Sequence, residues 1–273
     1  MSTSKSEKEV AFLHDLFVAT DWGERFAALI DENVVLPERG RVLYLEFGTG
    51  GHALALQERA GEKVGFIVVE EHKEYMEIAQ AKATAANASL EFKLGGVGQL
   101  PFADDEFDLV IGDGSLIAPD RVRGMLGEMA RVVRPRGTIA LALPTASSFG
   151  EFFSIYWELL NSCGLVQAAE VENLITELPA VAEIEKLAER AGLEGVNTVS
   201  RIEEFSYDSG EQFINSPLIA DFLLKRWMDF LPENCRAKVI RKIPRAVDED
   251  RQHADYMFSV KASLVSGRKA QSH

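Results

Sequence analysis

Gly48-Thr49-Gly50-Gly51 follows an apolar run with Val42, Leu43 and Leu45, and precedes a helix-favouring stretch, Ala53 to Ala60, that Gly61 stops. A strand that passes through a glycine turn into a helix brings a ligand against bare backbone. The first amides of such a helix have no internal partner and lie at the positive end of the helix dipole, so a carboxylate, phosphate or ribose can approach them closely. Glu70 closes a second apolar run, and Asp113 follows a fourth. Asp113 suits a base or an orienting carboxylate, and equally a capping residue in an Asp-Gly turn. His52, on the first helical turn, reads as a ligand contact or, more blandly, as a partly exposed helix-start residue. The five histidines are scattered, and Cys163 and Cys235 lie far apart without C-x-x-C spacing, so neither a metal site nor a disulfide framework is expected.

The elements that must position these residues alternate. Val64 to Val69 reads as a strand and Lys73 to Ala86 as a helix with Tyr75, Ile78, Ala79 and Lys82 on one face. Leu90 to Leu94 and Phe107 to Ile111 are further strands around the loop GGVGQLPFADDE. A helix opened by Pro119 follows, ended by Arg134-Pro135-Arg136-Gly137, and then a strand from Thr138 to Leu143. This rhythm predicts a doubly wound parallel α/β sheet with ligands at the carboxyl ends of its strands and right-handed crossovers. Upstream, Val10 to Ala19 and Trp22 to Ile30 read as two short helices, with Asp21 capping the second. Downstream come helices at Gly150 to Leu160 and Pro179 to Ala191, and a strand from Asn197 to Tyr207. A helical insertion over about 209–247 is led by Ser216-Pro217, and a final strand spans Tyr256 to Val265. The expected organisation is an N-terminal helical brace or lid, 1–36, and one domain, 37–273, carrying the insertion.

Composition narrows the partners. The chain has 273 residues, 47% of them hydrophobic, enough to bury a large core. With 29 Lys plus Arg against 43 Asp plus Glu, the net charge of -14 disfavours broad contact with a nucleic acid backbone and favours a small-molecule partner. The N-terminus has no signal-peptide core and no apolar run reaches membrane-spanning length, so no membrane span and a cytoplasmic location are expected, with a homo- or hetero-oligomer left open.

In its motifs the chain resembles the class I S-adenosylmethionine-dependent methyltransferases, of the kind that includes ubiquinone-biosynthesis and other small-molecule enzymes. The matching pieces, between about 40 and 145, are VL-x-L-x-x-GTGGHALAL, VVEEHKEYMEIA, LPFADDEFDLV and ARVVRPRGTIAL. The resemblance implies a Rossmann-like, doubly wound seven-stranded sheet with its last strand antiparallel, and S-adenosyl-L-methionine as cofactor. It implies that Glu70 accepts hydrogen bonds from the ribose hydroxyls, that Gly48, Thr49 and Gly50 face the methionine part, and that the Val97 backbone meets the adenine. Asp113 falls where donor methyl and substrate approach. Three positions depart from the pattern: Tyr44 stands for the usual acid, Glu46 for the first glycine, and Gly96 for an Asp that commonly recognises the adenine amino group. Residues 44 and 46 share a strand face, so the Glu46 carboxylate is a candidate for the methionine ammonium that an acid at 44 normally serves. Trp22, Phe222 and Trp227 are candidates to roof an apolar substrate pocket, and at helical spacing they also read as plain core.

Three functions follow. The first is S-adenosylmethionine-dependent methyl transfer to a small, partly apolar molecule. In-line displacement at a sulfonium methyl asks mainly for positioning and desolvation, so no catalytic triad is expected. The second is an inactive member of the fold, a pseudoenzyme kept as a binding or partner subunit, which Tyr44, Glu46 and Gly96 favour. The third is a dinucleotide-binding oxidoreductase of the NAD type, since Gly48-x-Gly50-x-x-Ala53 also satisfies that fingerprint; the downstream pieces argue against it.

Overall fold

Ser6 opens the first helix as a capping box: its hydroxyl accepts from the Glu9 amide, and the Glu9 carboxylate receives the Ser6 amide. In the computed structural model, which describes residues 5–46, 48–165, 168–250 and 255–271 without the side chains of residues 46 and 168–170, this helix runs unbroken. Its parts are α1 (Glu7–Leu13), a π-helical segment (His14–Gly23) and α2 (Glu24–Asn33). Two helices separated at Asp21 were expected. Gly23 keeps right-handed helical dihedrals, and Asp21 accepts an i,i+4 ion pair from Arg25 at 3.0 Å instead of capping a new helix.

The alternating part follows the sequence rhythm: β1 (Gly40–Glu46), α3 (Gly51–Ala60), β2 (Val64–Glu70), α4 (Lys73–Ala85), β3 (Leu90–Leu94), β4 (Phe107–Asp113), α5 (Pro119–Val132) and β5 (Val133–Pro144). Arg134 to Gly137, read as the end of α5, lie inside β5, whose bulged pairing with β4 absorbs them. Then come α6 (Gly150–Ser162), α7 (Ala168–Thr176), α8 (Val181–Arg190), β6 (Leu193–Tyr207), α9 (Gly210–Asn215), a second π-helical segment (Leu218–Leu223), α10 (Leu224–Met228), α11 (Glu233–Ile240), α12 (Ile243–Asp250) and β7 (Tyr256–Lys269).

The seven strands form one sheet in the order β3-β2-β1-β4-β5-β7-β6, with β7 antiparallel. The pairs from β3 to β5 are parallel. Order reverses between β1 and β4, and the crevice beyond the carboxyl ends at such a switch is where ligands bind in open α/β sheets. Register places Glu46 beside Glu70 and Leu45 beside Gly112, so the turn after β1, the acid of β2 and Asp113 share one edge.

The chain divides into two compact units, 1–143 with 180–200 and 262–273, and 144–179 with 201–261. The core of the first joins Leu43, Leu45, Ile67 and Val69 of the sheet to Met125, Leu126 and Met129 of α5 and Ile184 and Ala188 of α8. The core of the second is aromatic: Trp227 stacks on Phe152 at 4.6 Å, and Phe149 on Phe258 at 5.2 Å.

Candidate functional site

The glycine turn is built as the sequence demands. Gly50 adopts φ +79°, and a Cβ there would stand 2.7 Å from that of Ala79 on α4, so only glycine fits both the dihedral and the packing. Gly50 is the N-cap of α3 and offers no side chain, which leaves the first amides of α3 uncapped at the positive end of its dipole.

Glu70 is 1% exposed, and its carboxylate is held from two sides. Oε2 accepts the Gly48 amide at 2.9 Å; Oε1 accepts the His72 amide at 2.7 Å and faces His72 Nδ1 at 3.0 Å. The hydrogen bond to Glu70, against the counter-effect of burial, raises the His72 pKa above its ordinary value. Thus Glu70 fixes the glycine turn; His72 occupies Oε1 twice, and Oε2, with the Gly48 amide as its one donor, retains a second acceptor position for a hydroxyl.

A cavity of about 370 Å³ opens beside the turn, within the first unit. Gly48, Thr49 and Gly51 form one wall, Tyr44, Asp113 and Ser115 at the ends of β1 and β4 another, and the N-terminal helix the third, with Asp15, Trp22 and Asp31. Two polar networks tie the helix to the turn. Asp15 accepts from both the Thr49 hydroxyl and Lys82 of α4, and Lys82 also lies 3.3 Å from Thr49 Oγ1. The Tyr44 hydroxyl meets His52 Nδ1 at 2.8 Å, while His52 Nε2 faces Asp31 at 3.2 Å, and Arg59 also donates to Asp31. A carboxylate only accepts, so in the neutral imidazole Nε2 carries the proton, Nδ1 accepts, and Tyr44 donates.

Asp113 lines the cavity, and burial raises its carboxyl pKa; hydrogen bonds from Ser115, whose amide donates to Oδ1 at 2.9 Å, and the nearby His52 oppose the shift. The aspartate is the last residue of β4 rather than the residue after it.

The sequence candidates separate. Gly48, Thr49, Gly50, Glu70 and Asp113 come together at the turn, and Trp22, 1% exposed, lines the cavity. Val97 is buried in the loop after β3. The Glu46 side chain lies outside the described residues. Trp227 is fully buried in the aromatic core of the second unit, stacked on Phe152; Phe222 is half-buried in the second π-helical segment. His52, read as a helix-start residue, joins Tyr44 to Asp31. Asp15 and Asp31 carried no sequence signal because their partners lie 34 and 21 residues away.

Residues 42–137 match the family model described as a methyltransferase domain. The chain is 30% identical over 172 residues to the demethylmenaquinone methyltransferase of Bacillus licheniformis, covering 59% of this chain and 73% of that one. Over 192 residues it is 31% identical to the demethylmenaquinone methyltransferase of Deinococcus radiodurans, covering 67% and 78%. The chain belongs to the class I S-adenosylmethionine-dependent methyltransferases. The YcgJ protein of Bacillus subtilis shares the fold, with a TM-score of 0.59 at 20% identity over 91% of this chain and all of that one. As a methyltransferase, the chain presents groups that suit the cofactor: uncapped α3 amides for a carboxylate, and an acid closing β2. Among the described residues no group of His, Cys, Asp and Glu could hold a metal ion, and no helix is long and apolar enough to cross a membrane.

Proposed function

We propose that this methyltransferase moves the methyl group of S-adenosyl-L-methionine to a small, partly apolar acceptor carrying an ionisable proton. The observation that carries this reading is Asp113, a carboxyl with a raised pKa in a cavity shared with Gly48, Thr49 and Gly51. The cofactor supplies an electrophilic methyl on a sulfonium. The chain's own work is to hold and dry the reactants. The α3 amides take the carboxylate of the methionine part, Glu70 Oε2 takes a ribose hydroxyl, and the Val97 backbone takes the adenine edge. Ala19, Trp22, Ala27, Ala28 and Ala55 give the acceptor side of the cavity its apolar surface and exclude water. Asp113 accepts the acceptor's proton as the nucleophile forms its new bond to carbon. Burial makes it a better proton acceptor than an ordinary aspartate.

The relatives named as demethylmenaquinone methyltransferases suggest demethylmenaquinone-like naphthoquinones as first acceptors, with simple phenols alongside. With methyl-labelled S-adenosyl-L-methionine, the native protein should transfer label to a member of this panel. Asp113→Asn should lower turnover by roughly a hundredfold to ten-thousandfold while leaving affinity for S-adenosylhomocysteine unchanged. Transfer by Asp113→Asn at the native rate would remove Asp113 from the reaction, and absence of labelled product across the panel would refute this acceptor class.

A further inference from the structure

Glu71, next to the proposed ribose ligand, has no part in the reading above, and its position bears on one of the departures from the family pattern. Its side chain turns toward the loop after β3. A Cβ placed on Gly96 would lie 3.3 Å from Glu71 Oε1 and would meet nothing else within 4 Å. The space that a side chain at 96 would enter is thus open except for the Glu71 carboxylate. Gly96 is also absent from the glycines with left-handed backbone, so an L side chain is conformationally acceptable there. Arg121 of α5 holds the carboxylate through one guanidinium nitrogen, 2.9 Å from Oε1 and 2.8 Å from Oε2. Each oxygen keeps further acceptor capacity, and the Glu71 side chain remains 32% exposed.

We propose that Glu71, held by Arg121, recognises the amino group of the cofactor's adenine, doing from the end of β2 what an acid at position 96 would do from the next loop. The inference rests on the S-adenosyl-L-methionine reading. An ionised carboxylate only accepts hydrogen bonds, so it suits the exocyclic amino group of adenine. The carbonyl of hypoxanthine at the same place would set lone pair against lone pair. A partly exposed Glu-Arg pair with only a structural role contributes little to stability and has no means of telling the two bases apart.

The test is calorimetric titration of the full chain with S-adenosylhomocysteine and with its hypoxanthine counterpart, S-inosylhomocysteine. The native protein should prefer the adenine compound. Glu71→Ala should weaken its binding roughly tenfold to a hundredfold, the size expected for one charge-assisted hydrogen bond. Glu71→Gln should abolish most of the preference, because an amide can present either a donor or an acceptor. The transposed pair Glu71→Ala/Gly96→Asp should recover both affinity and preference. Native affinity in Glu71→Ala, or native preference in Glu71→Gln, overturns the proposal while leaving the donor reading intact. A native protein that binds neither compound overturns the donor reading and this inference with it.

Discussion

His14 shows what the N-terminal helix costs to bury. Its ring packs edge-on against Tyr75 at 5.2 Å, and burial lowers its pKa to about 4; Asp15 opposes the shift and Lys82 adds to it. The folded state therefore keeps His14 neutral where the unfolded chain, with an ordinary value of 6.5, takes a proton. Stability is complete above that value and declines as pH falls from 6.5 toward 4, by about 3 kcal/mol for this residue. Urea unfolding at pH 7 and pH 4.5 should show a marked loss in the native protein and a smaller one in His14→Phe; equal losses would assign the acid sensitivity elsewhere. His72 works in the opposite sense. Its raised pKa adds stability below its unfolded value that disappears as pH rises through the folded one.

At the scale of elements, the N-terminal helix owes its place to two polar ties as well as to its apolar face. Asp15 joins Thr49 and Lys82, and Asp31 joins His52 and Arg59. Removing Asp15 leaves a half-buried lysine without its carboxylate, so Asp15→Ala should speed amide exchange across α1 and the π-helical segment by roughly tenfold to a hundredfold. The α5 amides serve as the internal reference. Unchanged exchange in the N-terminal helix would show that its apolar contacts alone hold it. These ties also mark where sequence reading stops. The strand-helix rhythm from 40 to 145 was legible because periodicity and glycine punctuation are local signals. The continuity of the N-terminal helix through Asp21 and Gly23 was not, since tertiary packing overrode a local capping residue. Likewise the turn, Glu70 and Asp113 were legible as site residues, whereas the Tyr44-His52-Asp31 chain was not, because it joins β1, α3 and α2 across the fold.

At the scale of the molecule, the strand order decides where chemistry can occur. The reversal between β1 and β4 gathers the glycine turn, Glu70 and Asp113 at one edge, and the first unit contains every one of them. The second unit's aromatic core explains why Trp227, an attractive pocket candidate by type, is fully buried. The net charge of -14 disfavours broad contact with a nucleic acid backbone. Methyl transfer depends on the cofactor, and Tyr44, Glu46 and Gly96 alter three expected contacts to it. The most direct measurement is a calorimetric titration of the native protein and of Glu70→Ala with S-adenosylhomocysteine, with circular dichroism to establish that both are folded. The native protein should bind at micromolar concentration, and the variant at least tenfold more weakly through loss of the ribose acceptor and of the support for Gly48. No binding by the folded native protein, or equal binding by both, would contradict that expectation.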